Sequence, residues 1–320
     1  MQQNQTGAVD ALAIEEYSGI VEGTIERRSI LSGWVPFKRI VGSTTLSDFA
    51  IGEATLQKVV VGEAPAGAGV DFAKASTTVD TVVNARNVLP LLDVFQTSYD
   101  ARKEIGLEHG KKIAKFLDQS MFIQAAKAAA LTESRFSNAS AGKPAGHFGG
   151  SSITLNASGD ATDPAKLYSA VGDLFTEMEE KDVIPDQDDV MLAFRPAIYR
   201  ALQDAEQIIN GTYVTADGTS REGMIFKAFG CLVVSSNNVP NTNISGHLLS
   251  NAANSNAYDG DFTKLVGIAL SARALLAGET IPLTSDVWYN KEYKSWFVDS
   301  HLAYAVTPNR AEYAGAIWLP

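Results

Sequence analysis

The chain has 320 residues, 45% of them hydrophobic, enough to bury the core of one large domain or two modest ones. Its formal net charge of -11 and sequence pI near 4.9 exclude nucleic-acid binding as the main task, because affinity for phosphate backbones comes from clustered Lys and Arg. A single cysteine, Cys231, excludes an intrachain disulfide framework, a CxxC redox pair and a thiolate zinc cluster, and points to a reducing compartment.

The opening "MQQNQTGAVD" is polar and reads as neither a secretory signal nor a transit peptide. No run approaches the ~20 apolar residues of a membrane helix. From Gly7 to Leu31 apolar residues fall at near-helical spacing, interrupted by Gly19 and Gly23, which predicts an extended arm with short helical pieces. Between Ser43 and Pro90, "TLQKVVVGE" and "STTVDTVVN" read as strands joined through "APAGAGVDF", a long hairpin with too few large side chains for a core of its own. "GAGVDF" begins like a dinucleotide fingerprint but lacks the third glycine and the following helix, so a hairpin tip explains it better.

After Pro90, Leu92, Phe95, Tyr99, Ile105, His109, Ile113, Phe116 and Ile123 recur every three or four residues. They predict one helix of about forty residues, roughly 60 Å long. Gly106 and Gly110 each cost about 1 kcal/mol against Ala in a helix interior and mark an expected bend. A Gly/Ser/Asn-rich loop runs from Ser137 to Asp160. Asp163 and Pro164 then start a helix with the stripe Leu167, Val171, Leu174, Phe175 and Met178. The strand "DVMLAFRP", the helix "AIYRALQDAEQIIN" and the strand "GCLVVSSNNVP" follow, a small α/β unit. "KLVGIALSARALLAG" is read as strand, and the tail, rich in Trp, Tyr and Val, as long antiparallel strands, with Ala316 to Leu319 returning beside Tyr304 and Val306.

No catalytic or metal signature survives comparison with its structural explanation. His109, His147, His247 and His301 are scattered without metal-ligand spacing. GxSxG and GxxxxGK[ST] motifs are absent. The carboxylates of "EMEEKDVIPDQDD" lack EF-hand spacing and read as a solvated helix end. Arg27 and Arg28, a basic pair in an acidic chain, read as meeting another subunit's carboxylates rather than an anionic ligand. No cofactor is expected.

Four stretches carry a resemblance through their order and spacing: "EYSGIVEGTIERRSILSG", "SYDARKEIGLEHGKKIAKFLDQ", "FGCLVVSSNNVP" and "HLAYAVTPNRAEYAGAIWLP". With them the chain resembles the major capsid proteins of tailed bacteriophages, which share the Hong Kong 97 fold, and most closely those of the short-tailed T-seven-like group. The resemblance implies an α+β fold with an N-terminal arm at 1–45, an E-loop hairpin at 46–90, a P-domain with a spine helix at 91–162, an A-domain at 163–283 and closing P-domain strands at 284–320. It further implies many copies tiling an icosahedral shell around DNA that is enclosed but not specifically bound. A scaffolding protein, a portal at one vertex and decoration proteins would be partners, the shell forming in the host bacterial cytoplasm. Arg27, Arg28, Lys58 and Arg310 would then be contacts between subunits, with Gly106 and Gly110 as the spine bend. Some members join Lys to Asn covalently. Lys58 and Lys74 lie in the hairpin here, but no Asn and Glu partners match, and no crosslink is expected. An encapsulin-like compartment shell and a soluble α/β enzyme with its pocket in 163–283 are the alternatives.

Overall fold

The computed structural model describes residues 17, 19–25, 29–54, 56–59, 61–62, 69–92, 101–137, 144–205 and 226–320. Helix α1, Ala101–Ala129, extends about 43 Å at ~1.5 Å per residue. Its first half is amphipathic, whereas Ser120 to Ala126 are buried all round, as a helix roofed on every side requires. The helix expected from residue 91 ends at Ala129 rather than Glu133; residues 93–100 lie outside the described residues.

Two large sheets pack against α1. The first has the order β1-β12-β13-β4, from β1 (Phe37–Arg39), β12 (Leu275–Asn290), β13 (Ser295–Pro308) and β4 (Val83–Pro90). Strands β12 and β13 form a long antiparallel hairpin, as the Trp, Tyr and Val content of the tail predicts. The second sheet is six-stranded, in the order β5-β14-β11-β6-β8-β7. Its members are β5 (Ser151–Thr154), β6 (Met191–Phe194), β7 (Phe226–Ala228), β8 (Cys231–Ser235), β11 (Leu265–Leu270) and β14 (Ala314–Trp318). "KLVGIALSARALLAG" is indeed strand, supplying β11 and the start of β12.

The six-stranded sheet is covered on both faces, which explains why "MLAF" and "LVGIAL" are apolar throughout rather than alternating. Met191 and Ala193 join the core over α1, whereas Leu192 and Phe194 face the opposite core. That second core is closed by α2 (Pro164–Glu179), whose buried stripe is Leu167, Ala170, Val171, Leu174, Phe175 and Met178. Asp163 caps it by accepting from the Ala165 and Lys166 amides, and Pro164 occupies the first turn, where its missing N–H costs nothing. Helix α3, Pro196–Gln203, completes the cover. The Cys231 thiol is buried in this core.

Three strand expectations are corrected. The hairpin is built from β2 (Thr45–Ile51) and β3 (Phe72–Thr78), in register from Thr45↔Thr78 to Ile51↔Phe72, and not from "TLQKVVVGE". Ala50, Ala73 and Ala75 lie against buried Phe136, so the small-apolar alternation of this pair has something to cover. Leu56, Val59 and Val61 project beyond it, 65–100% exposed. "STTVDTVVN" is not one strand, because β3 pairs with β2 whereas β4 pairs with β13, and the chain changes sheets between Val79 and Val82. Finally, β14 does not return beside Tyr304. It pairs antiparallel with β11 and parallel with β5, because Ile317 is needed in the second core while Ala314 and Ala316 fit closely over α1.

Deleting Ala316–Pro320 therefore removes a central strand, not an edge. The truncated chain is expected to lose the near-ultraviolet circular dichroism of a packed core and to become insoluble; a folded, soluble truncation would show that β5 and β11 need no bridge between them.

Candidate assembly interface

Along α1 a row of residues four apart, Gly106, Gly110, Ala114 and Asp118, forms a shallow groove on one face. The N-terminal arm lies in it, running in the same direction as α1. A Cβ added at Gly106 would stand 3.0 Å from the Tyr17 ring, and one at Gly110 would stand 2.6 Å from the Thr24 Cβ and 3.0 Å from the Val21 carbonyl oxygen. The helix continues through both positions without interruption. Gly106 and Gly110, the expected spine bend, give the arm's helical residues 19–25 room to approach the helix.

The groove ends at Asp118, which is fully buried. Its carboxylate accepts from Ser29 Oγ (2.5 Å), from the Ile30 and Leu31 amides, and from Asn238 Nδ2 (3.0 Å). One side chain of α1 thus holds the arm and the loop after β8 together through charge-assisted bonds. A second buried network lies at the other end of the groove. His109 Nε2 is 2.7 Å from Asn87 Oδ1, its Nδ1 is 2.6 Å from Tyr17 Oη, and that hydroxyl is 2.9 Å from Ser300 Oγ. Since Asn87 Oδ1 can only accept, Nε2 carries the proton and Tyr17 donates to Nδ1. Burial pulls the His109 pKa below its ordinary value, despite the opposing charges of Asp299 and Glu108. His247 is stacked between Phe116 and Tyr258, and its pKa is likewise lowered by burial.

The other expected contacts are dispersed. Arg27 and Arg28 lie outside the described residues. Lys58 is exposed in the segment beyond β2. Arg310 is half-buried with its guanidinium 5.9 Å above the Phe136 ring, a partner within its own chain that the sequence did not reveal. The acidic stretch is tied down locally, by Lys181 to Glu177 (2.8 Å) and Arg273 to Asp188 (3.0 Å). Among the described residues no group of three or more His, Cys, Asp or Glu side chains is placed to hold a metal, and no helix is long and apolar enough to cross a membrane. What the body does present is the outer face of the hairpin. Phe49 (67% exposed) and Ile51 alternate with inward Ala50, and Leu56 and Val61, at 96% and 100%, continue it toward the tip.

Two outcomes follow from the arm groove. Gly110→Ala gains about 1 kcal/mol of helix propensity but meets backbone at Val21, so the arm is expected to detach and be removed faster by protease, whereas Gly19→Ala, which meets nothing, leaves protection unchanged. Asp118→Ala strands buried amides and is expected to destabilise the chain by about 2–4 kcal/mol in denaturant titration. Acid provides a third test. A histidine whose folded pKa is depressed binds fewer protons folded than unfolded, so its stability contribution is full above about 6.5 and is lost as pH falls below that value. Melting temperature is expected to drop between pH 7 and 5, with a shallower slope in His109→Gln.

No family model matches the chain, and no curated protein does. Solved structures match. The chain is similar to a capsid chain of cyanophage P-SCSP1u at 18% identity and TM-score 0.74, over 89% of this chain and 86% of that one. It is similar to a chain of the mature capsid of bacteriophage PhiM1 at 23% identity and TM-score 0.72, over 91% and 87%. A virus-like particle from Pyrococcus furiosus matches less well in shape, with TM-score 0.58 at 10% identity over 95% and 98%. The likeness to the two phage capsid chains extends over about nine-tenths of this chain, and the chain has the Hong Kong 97-type capsid fold.

Proposed function

We propose that this chain is the major capsid protein of a tailed bacteriophage, a structural protein without catalytic activity, many copies of which close an icosahedral head around double-stranded DNA. The observation that carries the reading is the hairpin: on a capsid fold, it holds Phe49, Ile51, Leu56, Val59 and Val61 in water, where each side chain forgoes about 1.5–3 kcal/mol of burial. Two strands cannot bury these residues themselves, and a contiguous apolar surface of this kind marks a contact with another chain. The net charge of -11 suits a container whose contents must pack without adhering. Two phage capsid chains, at TM-scores of 0.74 and 0.72, favour a phage head, while five further phage structures at 0.55–0.57 match no better than the Pyrococcus furiosus particle at 0.58. Kinship with the short-tailed T-seven-like group rests on the four sequence stretches. In this reading residues 1–45 are the arm, 46–90 the hairpin, 91–162 the spine unit and 163–283 the unit that meets its copies around each capsomer axis, while β14 returns from the tail into that last unit's sheet. Assembly in the bacterial cytoplasm on a scaffolding protein, with a portal at one vertex and decoration proteins outside, completes the expectation.

The seat for the hairpin tip is a second copy's cavity. Between arm, α1 and the first sheet lies a space of about 340 Å³ lined by Ile25, Phe37, Ile113 and Leu302, with Glu22 and Glu279 supplying carboxylates. Its apolar walls and negative charge complement the tip, where Lys58 sits between Leu56 and Val59.

Expression with and without a scaffolding protein, followed by negative-stain microscopy, tests the function: uniform shells support it, and a monodisperse monomer under both conditions overturns it. For the seat, Lys58→Glu is expected to block shell formation and Glu279→Lys in the same chain to restore it; equal failure of single and double variants would place the tip elsewhere.

A further inference from the structure

At the root of the hairpin a cavity of about 320 Å³ opens between β3, the residues following α1, the 249–258 loop and β13. Most polar groups on its wall are committed. Tyr258 Oη donates to the Val306 carbonyl and accepts from the Val306 amide, both at 2.8 Å. Gln124 Nε2 donates to the Ala257 carbonyl (3.0 Å), and Tyr304 Oη pairs with Ser120 Oγ (3.0 Å). Three groups are not. Thr77 is 97% buried, yet among the described residues its Oγ1 has no partner, and neither has buried Thr307 Oγ1. Arg135 spends one guanidinium nitrogen on the Ser76 carbonyl at 3.1 Å and forms no ion pair among the described residues.

The two hydroxyls are costly as they stand, and half-buried Arg135 has donors to spare. A buried hydroxyl without a partner forfeits its hydration. A guanidinium presents a planar fork of donors that matches oxyanions and cannot shed its charge near neutral pH. Desolvation by burial is the largest influence on Arg135, with no carboxylate among the charges that offset it. Asp80 is also on the wall; it is exposed and accepts from Thr81 Oγ1 at 2.8 Å. One class of ligand answers all three groups: an oxyanion, accepting from the guanidinium and from both threonine hydroxyls. We propose that this cavity is an oxyanion site, held by Arg135, Thr77 and Thr307, that fastens the hairpin to the body.

The site stands on the cavity whether or not the chain builds a shell; its consequence for assembly rests on the capsid reading. Thr77 belongs to β3 and Thr307 to β13, so a shared anion bridges the hairpin to the first sheet and adds to the packing of Val79 on Ala303 and Ala305. The same chemistry has two sources, free phosphate or a carboxylate from a neighbouring copy.

Thermal melting of the unassembled chain in rising inorganic phosphate, with chloride making up a constant ionic strength, separates them. Phosphate is expected to raise the midpoint where chloride does not, with apparent affinity weakened at least about tenfold in Arg135→Gln and reduced in Thr77→Val, while Arg135→Lys retains part of the effect. If phosphate does nothing to the unassembled chain, but Arg135→Gln shells dissociate at lower denaturant than wild-type shells and Arg135→Lys shells do not, the oxyanion is a neighbour's carboxylate. Absence of both effects overturns the site. Shell formation by wild type, scored separately by microscopy, keeps that failure distinct from failure of the capsid reading.

Discussion

The fold depends on the contact between the arm and the four-residue row Gly106, Gly110, Ala114 and Asp118. Two helical segments can lie this close only where side chains are absent, and the glycines provide that at the cost of helix propensity. The gain is the burial of Tyr17, Val21 and Ile25 in the main core. Asp118 then fixes where along the row the arm stops, because buried backbone amides at Ile30 and Leu31 require an acceptor and a carboxylate accepts several bonds at once. Without that stop the arm could slide by one turn with little change in apolar contact. From Leu31 the chain reaches Val35, also in the core, and enters β1 beside β12, so the position of the arm sets the edge of the first sheet.

Helix α1 serves both sheets, and this explains the placement of β14. Strand β13 has no free edge for a returning strand, since β12 and β4 flank it, and β5 finds its neighbour in β14. In the six-stranded sheet, β14 offers Ala314 and Ala316 to α1 and Ile317 to α2. On the α2 side space is tight at one position and open at the next: a Cβ at Gly315 would stand 3.0 Å from Leu174, whereas Ile317 fills the core fully buried.

Much of this was legible in the sequence. The cap and stripe of α2, the strand character of 265–270 and the long β12–β13 hairpin each follow from local patterning, although only β12 and β13 find their partner nearby in the chain. The hairpin strands were misplaced because β-branched runs such as "KVVVG" carry strand propensity without anything to pair with, whereas "TLSDFAI" gains its state from Phe136, distant in sequence. Propensity is a weak guide where pairing decides. Gly106 and Gly110 stand out in the sequence as breaks in helix propensity, but the arm they admit does not, because a helix periodicity shows the face toward the core and not the segment lying across it. Arg310 over Phe136 and the wall formed by Thr77, Arg135 and Thr307 unite positions far apart in the chain, which no spacing rule addresses.

The two ends of the hairpin differ in a way that bears on how such a chain avoids aggregating before it assembles. At its tip the exposed residues are apolar and flanked by Lys58, so association with like tips is opposed by charge while association with an acidic, apolar seat is favoured. At its root the hairpin is held by packing, Val79 with Ile40, Ala303 and Ala305, and Ala50, Ala73 and Ala75 on Phe136, with Asn309 Nδ2 donating to Asp48 at 2.7 Å. The small side chains of this pair let the strands lie close to the body, so the root is fixed by its own chain and the apolar residues left over lie toward the far end. The unsatisfied hydroxyls of Thr77 and Thr307 stand beside an anchored joint, where a bound acceptor adds to packing that already exists.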